Sequence, residues 1–205
     1  MKTSVRYALA AIPLVALLAA GSAMFVHTTP VSAQGEPGSI SEANAAPRSA
    51  QAEKPLPSPA AQAEVTLDGK AISIHYNSPR MRGRKIMGEL VPYGKVWRTG
   101  ANPATSFVTD GDIKIGDLNV PAGKYTLYTL PAESGWHLII NKQTGQWGTE
   151  YHEDQDLGRV PMHSSKLPSP QEDMSISFEH TTHNSTELHV RWETTDEWVK
   201  IEAAH

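Results

Sequence analysis

Between Asn77 and Asn102 the chain carries Arg80, Arg82, Arg84, Lys85 and Arg98, with Trp97 beside the last of them and Thr99, Gly100 and Asn102 directly after it. A guanidinium group is a planar fork of N–H donors that fits a carboxylate or phosphate bidentately, and the amides of a glycine-containing turn add further donors. The chemistry open to such a set is recognition of a small anionic or polyhydroxylated ligand. Arg84, Arg98 and Asn102 would orient it, Trp97 would give an apolar wall and Thr99 a hydroxyl. The same residues also have a structural use, in which guanidinium groups satisfy loop carbonyls and the indole fills a gap. On the sequence both readings stand.

Other reactive groups are plentiful but unorganised. Within residues 63–205, histidines occur at 75, 137, 152, 163, 180, 183, 189 and 205. His180 and His183 fall in a turn, where positions three apart need not converge, and His75, His137 and His189 alternate with apolar neighbours and are expected on the wet face of strands. Neither a metal site nor a cofactor is expected. Glu150, Glu153, Asp154 and Asp156 read as solvated surface, since paired catalytic carboxylates need a cleft at fixed separation. Nucleophile-elbow, P-loop and dinucleotide-binding strings are all missing, so no residue is assigned a catalytic role and binding is expected rather than turnover. The nine tyrosines and tryptophans from Tyr93 to Trp198 could stack on sugars, although most rings in a domain of this size are core.

Composition narrows the classes further. Without cysteine the chain has no disulfide, thiolate nucleophile or lipidated cysteine. Its net charge is -4, and from Ala60 onward it is -5, because four of the basic and three of the acidic residues precede that point. There is no basic field for nucleic acid, which is therefore not an expected partner.

These groups must be positioned by a domain placed behind an N-terminal export segment. Lys2 and Arg6 precede an apolar run from Tyr7 to Ala20, and Val31-Ser32-Ala33 offers small residues for cleavage, so residues 1–33 read as a secretory signal. Left uncut, Ala8 to Val26 is long enough to anchor the chain, the one membrane contact expected. Residues 34–62, rich in Pro and Ala, read as a disordered spacer. Residues 63–205 then show short alternating runs broken by turn residues. Asp68-Gly69 predicts a hairpin between Glu64–Leu67 and Lys70–Tyr76. Strands are expected at 105–109, 113–115, 124–130, 136–141, 157–164, 175–179, 187–192 and 198–201, with one short helix near Lys85–Leu90. The fold class is all-β: an antiparallel sandwich, or a barrel-like variant, of about nine strands.

Several strings resemble a known family. Gly83-Arg84, Pro92-Tyr93-Gly94, Trp97-Arg98-Thr99-Gly100-Ala101-Asn102 and Pro121-Ala122-Gly123-Lys124-Tyr125 are similar to those of the domain of unknown function 2911 family, with Trp136, Asn141-Lys142, Trp147-Gly148 and Asp156 following in order. The resemblance implies an exported bacterial β domain and no particular reaction. The combined expectation is a periplasmic or extracellular binding or accessory module of the cell envelope. An envelope hydrolase using carboxylates or histidines, and a purely structural protein, are the alternatives.

Overall fold

The computed structural model describes residues 57–204, part of a unit spanning Gln51–His205. The export segment and most of the spacer lie outside the described residues. Strands β1 (Ala60–Leu67) and β2 (Lys70–Asn77) form the hairpin expected of Asp68-Gly69, both of which take the left-handed backbone of a two-residue turn, at φ of 49° and 76°. β1 thus begins inside the stretch read as spacer. Next come β3 (Thr105–Thr109), β4 (Ile113–Ile115), β5 (Leu118–Val120), β6 (Gly123–Leu130), β7 (His137–Asn141) and β8 (Asp156–Pro161). Two long strands, β9 (His163–Glu179) and β10 (Ser185–Ala203), complete the chain.

All pairings are antiparallel, in one sheet ordered β1-β2-β3-β6-β7-β8 and another ordered β5-β4-β10-β9. The two form an open sandwich and not a closed barrel. Alternation supplies its core. Ile72, Ile74, Phe107, Leu127, Leu138 and Ile140 from the larger sheet are buried in one cluster with Ile113, Ile115, Met174, Ile176, Leu188, Val190 and Trp192 from the smaller. Each fully buried aliphatic side chain contributes about 1.5–3 kcal/mol.

Three features depart from the sequence expectation. The runs at 187–192 and 198–201 belong to one strand, and the run at 175–179 is the end of β9, which also contains Pro168 and Pro170. β9 lies at the edge of its sheet, where an outward position needs no N–H donor and proline is tolerated. No helix forms at Lys85–Leu90, and the one helical turn among the described residues is the 3₁₀ segment Glu153–Gln155. The carboxylate of Glu193 takes the amides of Ile86 and Met87, while the Val91 amide returns to the Ile86 carbonyl, closing a turn that buries Ile86, Met87 and Val91.

The third departure is inside β10. Its pairing with β9 shifts register on either side of Glu193, which takes a left-handed φ of 54°. A left-handed residue inside a strand interrupts the alternation and reverses which side chains face inward. Before the bulge the even positions Leu188, Val190 and Trp192 are inside, and after it the odd positions Val199 and Ile201 are.

Candidate ligand-binding site

The cation-rich segment after β2 is fastened to both sheets. On the β9 side, Met81 and Arg82 donate backbone amides to Glu172, and Ser78 donates its hydroxyl to the Met174 carbonyl at 2.6 Å. On the β6 side, Trp97 and Thr129 exchange two backbone hydrogen bonds, at 2.8 and 2.9 Å. The Trp97 indole lies flat against Trp192 (centroids 5.9 Å, interplanar angle 16°) and edge-on to Trp136 (6.2 Å, 84°). Trp97 thereby packs this segment onto the core indoles Trp136 and Trp192.

Beside that wall is a cavity of about 290 Å³, lined by Arg84, Trp97, Arg98, Asn102 and Trp192, with Leu90, Val91, Gly100 and Ala101. Four of the five residues expected to bind ligand are thus brought together. Thr99 is not among them: it is fully buried, its hydroxyl faces the Trp97 carbonyl and the Thr129 hydroxyl, and its carbonyl accepts from Thr105. The turn needs a left-handed residue there, and a threonine at φ 53° is held by those bonds against its own preference. Asn102 is also left-handed, at φ 61°, which asparagine accommodates more readily.

The two arginines differ. Arg84 donates to the carbonyls of Met81 and Arg80, so part of its fork shapes its own loop. Arg98 has no hydrogen bond and no ion pair among the described residues, and its Nε is buried without a partner. Burial pulls its guanidinium below the ordinary arginine range. Its stem runs across Gly148, where a Cβ would collide with Arg98 Cδ and lie 2.6 Å from the Asn102 carbonyl oxygen. No aspartate or glutamate lines the cavity. Two cations, exposed Arg84 and half-buried Arg98, facing a partly open hollow without a counter-charge favour an anion there.

A larger hollow of about 530 Å³, along β1 and β2 from Ala60 to Gln146, is lined by no Lys, Arg, Asp or Glu. It has no charge with which to orient a ligand, so the smaller cavity is the better site. The aromatics form no sugar platform either: only Tyr93 and Trp147 are exposed large rings among the described residues.

Two groupings escaped the sequence reading. Glu197 is buried in a cavity of about 260 Å³ with Tyr93, Trp136, Ser164 and Lys166, accepting from the Ser164 hydroxyl at 2.7 Å. Burial pushes its carboxyl up to about 7, against the Ser164 bond and with help from Asp196. On the opposite, outer face of β10, Asp196 sits 2.8 Å from His189 Nδ1 and 3.0 Å from an Arg191 nitrogen, and Arg191 also pairs with Glu179. Burial raises the Asp196 carboxyl, but the bonds from Arg191 and His189 outweigh it and hold it below the usual range. His189 lies on the outer face as expected, yet it is buried rather than wet, with the Trp198 ring stacked 6.1 Å away. His75 and His137 are exposed as expected. The acidic run is partly structural: Asp156 accepts from Asn141, Tyr151 and Arg159. Its pull, with burial, takes the Tyr151 phenol up to about 12.

A family model described as "Protein of unknown function (DUF2911)" matches residues 58–201. No curated protein and no solved structure matches the chain.

Proposed function

The chain belongs to the DUF2911 family, and we propose that its sandwich is a non-enzymatic binding module for a small anionic ligand, seated between Arg98, Arg84, Asn102 and the Trp97–Trp192 wall. The observation that carries the reading is Arg98: a half-buried guanidinium whose Nε is out of water without an acceptor costs folding energy unless something else supplies one. A carboxylate or phosphate would take the fork, and a polyhydroxylated body would find Asn102 and the Gly100 turn. The module works outside the cytoplasm, in the periplasm or beyond, a placement that rests on Lys2, Arg6, the apolar run and the small residues before Gln34.

Indole fluorescence of the full chain, titrated with inorganic phosphate, succinate, glucose 6-phosphate and glucose, tests this directly. At least one anion is expected to change the emission saturably, with neutral glucose weaker. Arg98→Met keeps the stem over Gly148 and removes the charge; it is expected to weaken that anion at least tenfold while the melting temperature holds or rises. A drop in melting temperature with no anion response in either protein identifies Arg98 as scaffold and removes the proposal.

One observation favours a second reading, an envelope hydrolase. Glu197 is a carboxyl held near neutrality in a polar cavity, the condition a general acid needs. Asp196, the ionised carboxylate beside it in sequence, faces the other side of the strand and cannot share a substrate with it. Turnover of ester or glycoside substrates that is abolished by Glu197→Gln would support this reading over the first.

A further inference from the structure

On the outer face of the smaller sheet, three donor atoms from the end of β9 and the start of β10 converge. His180 Nδ1 lies 2.6 Å and His189 Nε2 3.4 Å from the same oxygen, Oε2 of Glu187. All three residues offer ligand atoms within 4.8 Å of one another. Around a tetrahedral ion with bonds of about 2.0–2.1 Å, ligand atoms stand about 3.3 Å apart. His180, whose side chain is 73% exposed, has room to open the shorter distance.

The ring of His189 gives the site its direction. Nδ1 faces the Asp196 carboxylate at 2.8 Å and therefore carries the proton, which leaves the Nε2 lone pair aimed at Glu187. A metal ion seated between them would take both the Nε2 lone pair and the Glu187 oxygen. A carboxylate behind the imidazole is the arrangement that fixes the tautomer of a metal-bound histidine. Asp196 is in turn held by Arg191, which Glu179 also engages. With the imidazoles neutral, Glu179, Glu187 and Asp196 against Arg191 leave an excess of two negative charges, suited to a divalent ion.

We propose that His180, Glu187 and His189 bind one zinc ion, with a fourth position open to water and Asp196 acting as the positioning residue. Two imidazoles with one carboxylate are a zinc set, whereas an acidic patch alone would prefer calcium or magnesium. The site is on the opposite face of β10 from the core, independent of the anion cavity, and stands or falls separately from it.

The full chain, purified without a histidine tag and stripped with chelator, is titrated with cobalt(II), whose visible spectrum reports coordination number, and then with zinc(II). The expected result is one cobalt per chain with the intense bands of a four- or five-coordinate ion, displaced by stoichiometric zinc and untouched by excess magnesium or calcium. His180→Ala, at an exposed position, and Glu187→Gln should each weaken binding at least tenfold, and Asp196→Asn by about 10–100-fold. Absence of stoichiometric cobalt binding, competition by calcium at equal concentration, or affinity unchanged in His180→Ala and Glu187→Gln would overturn the proposal.

Discussion

The crossing segment and the β9–β10 ribbon both gather charged side chains, and they do so in opposite ways. In the segment, Arg80, Arg82, Arg84, Lys85 and Arg98 are close in sequence, yet they do different things. Arg80 pairs with Asp173, Arg82 and Arg84 bond loop carbonyls, and Arg98 alone is half-buried, beside a cavity lined by no carboxylate. On the outer face of the ribbon the clustered charges pair with one another: Arg191 has Glu179 and Asp196, His189 has Asp196 and Glu187, and His180 has Glu187. A cluster visible in sequence thus marks the place but not the working residue, whereas a cluster made by strand register is invisible until the strand is folded.

The largest effect that would sharpen this contrast is at Glu197, the ribbon residue turned inward. Its carboxyl titrates near 4.5 when unfolded and at about 7 in the fold. Between those values the folded protein holds a proton that the unfolded chain has lost, so stability falls as pH rises through the window and is level above it. At about 1.4 kcal/mol per pH unit the loss approaches about 3 kcal/mol. Denaturant unfolding of Glu197→Gln at pH 8 should therefore show a gain of up to about 3 kcal/mol over the native protein, shrinking towards zero by pH 4. An equal gain at both pH values would mean that the carboxyl is not desolvated, and the division of β10 into an inner and an outer face would fail with it.

A somewhat smaller effect is expected in the crossing segment. Gly148→Ala places a methyl group against Arg98 Cδ and the Asn102 carbonyl oxygen, and overpacking of this kind costs about 1–3 kcal/mol. The guanidinium must swing out of the cavity to relieve it. Calorimetry should show the lower melting temperature, and the anion response of the indoles should disappear with it. Loss of stability with the anion response intact would separate Arg98 from the site.

Much of this fold was legible. The Asp68-Gly69 hairpin, the strands at Thr105–Thr109 and Ile113–Ile115 and the two-layer core follow from turn residues and a period of two. That Trp97, Arg98 and Asn102 would line one cavity was legible because they share one turn. What failed has physical causes. The edge position of β9 admits prolines that otherwise read as a break, and Glu193 takes two amides that a helix at Lys85–Leu90 would have used internally. Above all, Asp196 is seven positions from His189 and five from Arg191, odd separations that alternation assigns to opposite faces. The left-handed backbone of Glu193, where the register against β9 shifts, puts them on one face and turns Glu197 inward by the same step. No motif announces such a bulge, since its left-handed residue is a glutamate.

The smallest expected effect is also the one that isolates Arg98 from its neighbours. Arg80 and Asp173 are joined at 2.7 Å, but their side chains are 44% and 52% exposed, and a pair so hydrated is worth about 0–1 kcal/mol. Arg80→Ala, Asp173→Ala and the double variant, compared by denaturant unfolding, should yield a coupling energy of about 0.5 kcal/mol that fades as salt is added. The backbone bridge between the same two residues is untouched by these changes, so the crossing segment should stay in place and anion binding should be unaltered. Arg80 would then be dispensable, and the weight of recognition would fall on the arginines that line the cavity, Arg98 first. If removing Arg80 weakened the anion as much as Arg98→Met does, long-range charge and not the buried fork would be drawing the ligand in, and binding would collapse at high salt instead of surviving it.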